Sequence, residues 1–456
     1  MEIFGIFLAL SLLMIGAYRG ISVILLAPLL AWLATAFQAG TPWTATYTEI
    51  FMKGMGGFVI SYFPLFLLGS LFGSLMTDSG AAASVSRGLM KQLGKKHAIW
   101  AVIITGSLLT YGGVSAWVVV FTMYPLGREL FREANIPKRI LPGTIATAAL
   151  SSAMVSFPGG MQIHNTMPMA YFGTTPYAAP ILGIWTGCAM LLLSWLWLNR
   201  QAKLAAINGE GFGKESNFGL DEQSKKQKLP PFLWAILPLI LVLLLVYLFS
   251  EIWIPSWDLS YLKNANYGAK DPSQIIGIWS VLFSLLFAVA FSIIIFWRYL
   301  EKPAQTLNEG TLGCLLPTLN TASEVGFGAT IASLAAFAAI KSSLLSAFAG
   351  HPLVSAAFSI NLLSGITGSA SGGLSIALSS LGETYKNMAI ESGVSLETLH
   401  RISTLACSGL DSLPHNGAVI TLLTVCGLTH KDSYKDIFVT TVIIPLFVLI
   451  CALLVL

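Results

Sequence analysis

The chain has 456 residues, of which 55% are hydrophobic and only 10% are charged, and its mean hydropathy is +0.76. Charged residues make up about a quarter of a typical soluble domain, so this composition excludes a soluble globular protein and predicts a polytopic membrane protein. The net charge of +4 is small and scattered along the chain, which argues against a nucleic-acid partner.

The cysteines predict neither disulfides nor a metal site. All five lie in or beside apolar runs without CxxC or Cys/His spacing: Cys188, Cys314, Cys407, Cys426 and Cys451. They are expected to be small buried side chains, and neither a metal nor a cofactor is expected. The first apolar run, 3–15, follows Glu2 and lacks both a basic n-region and a clear cleavage site, so it is interpreted as a membrane span.

The first half begins with two apolar runs, 3–18 and 21–37, which predict a helical hairpin. A Thr-rich loop is expected at 38–56, and spans at 58–76 and 176–198. The run 97–126 is too long for one straight crossing, because about 20 residues span a hydrocarbon core. Tyr111 to Ser115 interrupts it, which predicts a re-entrant hairpin. A helix broken at Pro158 to Gly160 follows.

A hydrophilic segment, 199–230, separates this half from a second one in which the pattern restarts. Spans are expected at 232–249, 275–297, 310–339 and 437–456, with a second hairpin at 351–381 and a second broken helix at 399–425. The predicted organisation is therefore a first membrane repeat at 1–198, a linker at 199–230 and a second membrane repeat at 231–456.

Matching separations indicate an internal duplication. His97 and His351, which open the two hairpin runs, are 254 positions apart, and Pro158 and Pro414 are 256 apart. Basic residues flank the first hairpin, whereas mixed charges, including Arg401, flank the second. By the positive-inside rule the two hairpins enter from opposite sides. The predicted fold is thus an all-α membrane protein with two inverted repeats, each of about five spans plus a re-entrant hairpin and a broken helix, with a cytoplasmic linker and both termini outside.

Four irregular segments are predicted to converge on a binding site: the hairpin tips at 112–115 and 368–373 and the helix breaks at 158–165 and 411–417. Broken helices at matching places in two halves are typical of transporter sites, and their N-termini suit a carboxylate. The candidate substrate-binding residues are glycines that allow close approach and polar side chains: Gly112, Gly113, Ser115, Gly159, Gly160, His164, Asn165, Ser369, Ser371, Gly372, His415, Asn416 and Gly417. No buried arginine or lysine is expected there, so dipoles and hydroxyls would hold the anion. The alternative is that these small residues only let helices pack closely.

Two acids, Asp411 and Glu324, lie deep in apolar sequence. Burial favours the neutral form of a carboxyl group, so either could load and release a proton and couple anion transport to a proton gradient. The alternative is a carboxylate that caps a broken helix or pairs with a basic group. His164 and His415 could relay protons or donate to the substrate, or could be hydrogen-bonded packing residues.

Three strings resemble the gluconate permease (GntP) family of the ion transporter superfamily: SGLDSLPHNGAVITLL at 408–423, CGLTHKDSYKDIF at 426–438 and NTASEVGFGA at 320–329. The resemblance covers nearly the whole chain. It implies a multi-pass symporter of the bacterial inner membrane for sugar acids or small hydroxy acids, usually driven by protons. It also implies a scaffold and a transport domain, commonly in a homodimer that moves as an elevator.

The first break reads SFPGGMQIHNTMPM at 156–169, where gluconate permeases typically have a PPHPGP-like string, and is more similar to the hydroxybutyrate permease branch. Met161, Met167 and Met169 in this string favour a smaller, less hydroxylated anion such as 3-hydroxybutyrate. Alternatives are a gluconate or other sugar-acid:proton symporter and a sodium-coupled carboxylate transporter, since sodium sites in such folds use backbone carbonyls.

Two other classes fit the sequence less well. A passive channel would need rings of like charge or carbonyl filters, and the inverted duplication argues against one. An intramembrane enzyme would need a nucleophile paired with a base. Ser412 and His415 offer such a pair at i, i+3, but a hydroxyl beside a histidine on a broken helix more often satisfies hydrogen bonds. The chain is therefore predicted not to be an enzyme.

Overall fold

The structure, a computed structural model, describes residues 2–19, 21–213, 229–267, 271–348 and 350–456, and every regular element in these ranges is helical. Large apolar side chains point outward, among them Ile60 at 82% exposed, Ile181 at 83% and Leu233 at 76%. Helices satisfy their own backbone hydrogen bonds, which a segment in lipid requires. The all-α membrane fold predicted from composition is thereby confirmed.

The first half contains eleven α-helices in its described residues. They are α1 (Glu2–Tyr18), α2 (Val23–Ala36), α3 (Trp43–Thr46), α4 (Met52–Asp78), α5 (Ala81–Leu93), α6 (Ala98–Tyr111), α7 (Ala116–Glu133), α8 (Leu141–Ala149), α9 (Ser152–Val155), α10 (Ile163–Phe172) and α11 (Pro180–Ile207). A π-helical turn, Tyr47–Phe51, joins α3 to α4, and short 3₁₀ turns precede α6 and α8 at Lys95–His97 and Lys138–Ile140.

The second half contains a further eleven in its described residues. They are α12 (Phe232–Tyr247), α13 (Ser273–Phe296), α14 (Pro303–Gly313), α15 (Leu315–Ser333), α16 (Ala335–Ala347), α17 (Pro352–Thr367), α18 (Ala370–Glu391), α19 (Leu396–Cys407), α20 (Gly417–Cys426), α21 (His430–Phe438) and α22 (Ile444–Val455). π-Helical turns extend α12 over Leu248–Trp253 and join α21 to α22 over Val439–Ile443; 3₁₀ turns follow α12 at Ile254–Ser256, Ser260–Lys263 and Ala265–Tyr267.

Five of these helical segments are long and apolar enough to cross a bilayer: Trp43–Asp78, Pro180–Ile207, Phe232–Ser256, Ser273–Phe296 and His430–Val455. The first corrects a prediction, because the loop expected at 38–56 is helical from Trp43. Tertiary packing explains the difference, since it outweighs the weak helix propensity of glycine. A Cβ added to Gly54 would lie 3.0 Å from Ala329 Cβ on α15, so α4 and α15 pack there almost backbone to backbone.

Two other features differ from the prediction, the end of α11 and the shape of the span at 310–339. Helix α11 continues to Ile207, so the start of the linker expected at 199–230 is helical, while residues 214–228 of that linker lie outside the described part of the chain. The span expected at 310–339 is bent, because α15 and α16 meet at Leu334 with an angle of 81°.

The two halves repeat the same local roles at a constant separation of 254 residues. His97 and His351 are the N-cap residues of α6 and α17. Ser115 and Ser369 cap α7 and α18, and the side chain of each accepts a hydrogen bond from a backbone N–H of the first turn. Gln162 and Asn416 precede α10 and α20, which each end at a left-handed glycine, Gly173 and Gly427. These equivalences support a duplication. Because Pro158 and Pro414 are 256 residues apart and not 254, Gln162 and Asn416 are the equivalent positions at the two breaks.

Helix α10 connects the halves. Helix α17 packs against α18 and α19, and α18 also packs against α15 and α19, while α6 and α7 pack against α8. Helix α10, which follows the first break, lies against both α18 and α19 of the second half. Each break therefore lies beside a hairpin, and the helix that follows the first break is also in contact with the second half of the chain.

Candidate substrate-binding site

The first hairpin tip rests directly on the first helix break. The Tyr111 hydroxyl donates to Pro158 O at 2.5 Å, and the Gln162 amide donates to Thr110 O at 2.7 Å. Gly113 has φ +91°, and a Cβ added there would lie 2.7 Å from the Met161 methyl carbon. Only glycine fits this conformation and this contact without strain. The structure thus brings together the tip and the break that the sequence predicts in this half.

The second tip and the second break form a matching pair. The Asn416 amide donates to Gly368 O at 3.0 Å and to Asp411 O at 2.9 Å. His415 Nε2 donates to Gly365 O at 3.0 Å, so this histidine of the second break is hydrogen-bonded to the last turn of α17. Asn416 Oδ1 accepts from two N–H groups at the start of α20, at 2.6 and 3.0 Å. Asn416 therefore both caps the half-helix and fixes it to the hairpin.

The predicted hydroxyls lie at the N-terminus of α18. Ser369 Oγ accepts from Gly372 N at 3.0 Å and lies 3.3 Å from Ser371 Oγ. In the first half, Ser115 caps α7 by accepting from Val118 N at 3.4 Å. Both serines are half-buried, and backbone N–H groups at helix starts favour anions.

Glu324 is the acid that lies at a tip. It is 4% exposed, and a Cβ added to Gly372 would lie 2.6 Å from both of its carboxylate oxygens. The carboxyl group therefore lies over the first turn of α18. Among the described residues, no group donates a hydrogen bond to it and no basic group lies within 4.0 Å of it, so it is neither a helix cap nor half of an ion pair.

Asp411 has a different environment at the second break. It is also 4% exposed, but its carboxylate accepts from Ser412 Oγ at 3.1 Å. The Ser412 carbonyl in turn accepts from the Tyr434 hydroxyl at 3.1 Å. Ser412 is thus bonded to the acid beside it and not to His415, and the arrangement of a nucleophile with its base is not formed in this part of the structure.

Three further predicted residues lie at the first break, and one lies at the surface. Gly159 has φ +76° and its N–H donates to Pro176 O at 2.8 Å. Gly160 O accepts from the Asn165 amide at 2.8 Å. His164 is 8% exposed, and its Nδ1 has no hydrogen-bond partner among the described residues. Gly417 is exposed and begins α20.

The methionines of the first break do not act as a group. Met161 lies against Gly113 at the tip. Met167 and Met169 are 1% and 0% exposed and belong to the core, where Met167 O accepts from the Tyr62 hydroxyl at 3.2 Å and Met169 packs on Gly277. Of the three methionines, only Met161 contacts a hairpin tip.

The expectation that no buried arginine lies near these segments is wrong. Arg401 and His400 on α19 are both 0% exposed, and both contact Asn165 at the first break, at 3.0 and 3.2 Å. The sequence pattern indicates Arg401 only as one of the charges that flank the second hairpin. A signal was present, because Ser395 is a good N-cap residue and places Arg401 in the second turn of a helix that leads into a break.

The two pairs each offer a half-helix N-terminus, backbone carbonyls and a serine hydroxyl, and the two buried acids lie at the second pair. Among the described residues, no group of three or more histidine, cysteine or acidic side chains is placed to hold a metal ion. Such a set suits reversible binding of a small organic anion and a proton.

The chain matches the model of a family described as GntP family permease over residues 1–455. An uncharacterized transporter from Bacillus subtilis, YxjC, is 41% identical over 456 residues, which span 97% of this chain and 96% of that protein. A high-affinity gluconate transporter from Escherichia coli is 33% identical over 127 residues, 28% of each chain. The crystal structure of the YdaH transporter of Alcanivorax borkumensis covers 98% of this chain and 97% of its own, with a TM-score of 0.57 and 15% identity, a likeness of fold.

Fold and relatives together define a multi-pass membrane transport protein and not an enzyme. Within that class, the chain belongs to the GntP permease family, as the strings at 320–329 and 408–438 indicated.

Proposed function

We propose that this permease is a secondary active symporter that imports a small hydroxycarboxylate together with protons. The observation that carries the proposal is the position of Glu324, whose carboxyl group lies buried over Gly372 in the first turn of α18. The substrate carboxylate would bind between the hairpin tips and the helix breaks, with Ser369 and Ser371 as hydroxyl donors.

This position supplies a coupling mechanism. Two carboxylates beside one helix N-terminus repel each other strongly in a medium of low dielectric constant. A substrate anion therefore binds beside α18 when Glu324 is protonated, and release of the proton on the other side of the membrane expels the anion. Asp411, at the second break, is the second candidate for proton binding.

The proposed substrate resembles 3-hydroxybutyrate. Met161 lies against Gly113 at the first tip and presents an apolar methyl group where a polyhydroxylated chain would need polar partners. Gluconate is the second candidate, because relatives matched over part of the chain are named gluconate transporters or permeases.

The proposed transporter consists of two membrane repeats and a linker. Repeats at 1–198 and 231–456 would have inverted topology, with a cytoplasmic linker between them, in the inner membrane of a bacterium. Homodimerisation and an elevator movement of one domain against the other are proposed from the resemblance to the ion transporter superfamily.

The test separates coupling from binding. Glu324→Gln keeps the size of the side chain but fixes it in a neutral form. In proteoliposomes it should lose accumulation driven by an inside-alkaline pH gradient and keep exchange of labelled for unlabelled 3-hydroxybutyrate.

Glu309→Gln, an exposed position on α14, is the matched control and should behave as wild type. Uphill accumulation by Glu324→Gln at the wild-type level would refute the proposed role of Glu324.

A further inference from the structure

Arg401 is the largest fully buried side chain of the described residues, and it joins the two halves. It extends from α19 of the second half to four acceptors of the first half, Val155 O, Asn165 Oδ1, Pro176 O and Ala178 O, all in or just after the first break. Removing a charged group from water costs free energy unless hydrogen bonds and an opposite charge compensate for the lost hydration.

All donors of the guanidinium are in use. Nε donates to Ala178 O at 3.1 Å, Nη1 to Asn165 Oδ1 at 3.0 Å and Val155 O at 3.4 Å, and Nη2 to Ala178 O at 2.8 Å and Pro176 O at 3.4 Å. A guanidinium has five N–H groups, so no donor is left for a ligand. Arg401 thus acts on a ligand only through its charge and through the groups that it positions.

That charge has no carboxylate to balance it. Among the described residues, no acidic oxygen lies within 4.0 Å of the guanidinium, and all of its acceptors are neutral. Glu397, one turn earlier on α19, is exposed and accepts from Ala179 N at 3.4 Å. Glu251 accepts from Thr175 Oγ1 at 3.1 Å and is exposed as well, so in the described residues Arg401 is a buried charge at the first break with no buried carboxylate paired to it.

The charge lies directly behind the predicted anion site. A Cβ added to Gly183 of α11 would lie 3.1 Å from Arg401 Nε and 3.3 Å from Pro158 Cδ, so the guanidinium and Pro158 flank the same point. Asn165, which accepts from Arg401, donates to Gly160 O at 2.8 Å. His400 orients the same amide, because its Nε2 donates to Asn165 Oδ1 and its Nδ1 accepts from Thr174 Oγ1 at 2.6 Å.

We propose that the missing counter-charge of Arg401 is the carboxylate of the transported substrate, bound where α10, the helix after the first break, packs against α18. Arg401 is then a positioning and specificity-determining residue: it holds the break in place and makes the site select a carboxylate over a neutral analogue. This inference rests on the proposed function. It assigns attraction of the anion to the first half and proton binding to the second half. The first break attracts the anion, and Glu324 at the second tip carries the proton.

Substitution of Arg401 distinguishes an electrostatic role in carboxylate selection from a purely structural role. We would measure dissociation constants for 3-hydroxybutyrate, gluconate and 3-hydroxybutyramide with purified wild type, Arg401→Lys, Arg401→Met and Arg401→Gln, by ligand-induced thermal shift in detergent. Arg200→Met, which removes the same charge from an exposed position, is the control. Arg401→Gln is the neutral variant that keeps two donors, for use if Arg401→Met does not fold.

The wild type should prefer the carboxylate to the amide. In the neutral variants that preference should fall at least about thirtyfold, the scale of one lost attraction between opposite charges in an interior of low dielectric constant. Arg401→Lys should keep most of it despite offering three donors. A purely structural arginine would lower the yield of folded protein and leave the preference unchanged.

A neutral variant that keeps the wild-type preference would overturn the assignment of Arg401 and leave the proposed symport intact. A wild type that binds gluconate but not 3-hydroxybutyrate would overturn the proposed substrate, and the preference for gluconate over its amide, gluconamide, would then test Arg401. A wild type that binds neither carboxylate would overturn both.

Discussion

Replacing Gly372 by alanine tests whether Glu324 lies where the coupling mechanism needs it. The new Cβ would meet Glu324 Cδ and both carboxylate oxygens at 2.6 Å, well inside contact distance, so the acid must move away from the start of α18. The variant should therefore lose uphill uptake while the substrate exchange that needs no proton movement persists.

The effect on stability follows from two opposing terms. Alanine in place of glycine inside a helix stabilises by about 0.5–1 kcal/mol, whereas forcing an extra methyl group into a packed site costs about 1–3 kcal/mol. In a Glu324→Ala background the methyl group has room, so the cost disappears. The coupling free energy in a double-mutant cycle should thus be about 1–3 kcal/mol.

The assay is denaturation in detergent of wild type, both single variants and the double variant. Gly69→Ala is the control, because it lies within α4 and a Cβ there would meet nothing within 4 Å. If Gly372→Ala is as stable as Gly69→Ala and the cycle gives less than about 0.5 kcal/mol, then Glu324 does not lie against α18 and the coupling mechanism fails.

Three further predictions concern other parts of the protein. Asp411→Asn should fold, because Ser412 Oγ can still donate to it, but should not accumulate 3-hydroxybutyrate against a gradient; accumulation at the wild-type level would remove Asp411 from the mechanism. Ser369→Ala should lower the free energy of unfolding by about 1 kcal/mol through loss of the α18 cap, and an unchanged denaturation midpoint would contradict this. At Glu210, which accepts from Arg139 at 2.7 and 2.9 Å, the guanidinium holds the pKa of the carboxyl below its ordinary value of 4.5. Its contribution, under about 1 kcal/mol because the pair is exposed, should be complete above pH 4.5 and be lost as pH falls through the lowered pKa, and Glu210→Gln should remove that part of the acid dependence of the denaturation midpoint.

The breaks and tips could be predicted from the sequence because glycine and proline determine them locally. The turns at Gly113 and Gly368 require positive φ, and both lie inside the predicted tips. The caps Ser115 and Ser369 likewise follow from residue type. Gln162 was missed as the counterpart of Asn416, because glutamine is not a typical cap and its role depends on reaching Thr110 O across the break.

Features that depend on distant parts of the chain could not be predicted in this way. The helix from Trp43 depends on packing against α15, and α11 extends past residue 198 because Arg139 and Asn135 bind the chain at Glu210 and Phe212 beyond its end. Arg401 was misplaced for a similar reason. Its partners are carbonyls of the other half, and a sequence pattern does not indicate which backbone groups a break leaves free.

Labelled uptake of 3-hydroxybutyrate into proteoliposomes tests the central claim most directly. With an inside-alkaline pH gradient and no sodium, the account predicts accumulation that collapses on addition of an uncoupler and resists excess gluconate. Uptake that requires sodium, or that gluconate abolishes, would contradict the proposed coupling or the proposed substrate respectively.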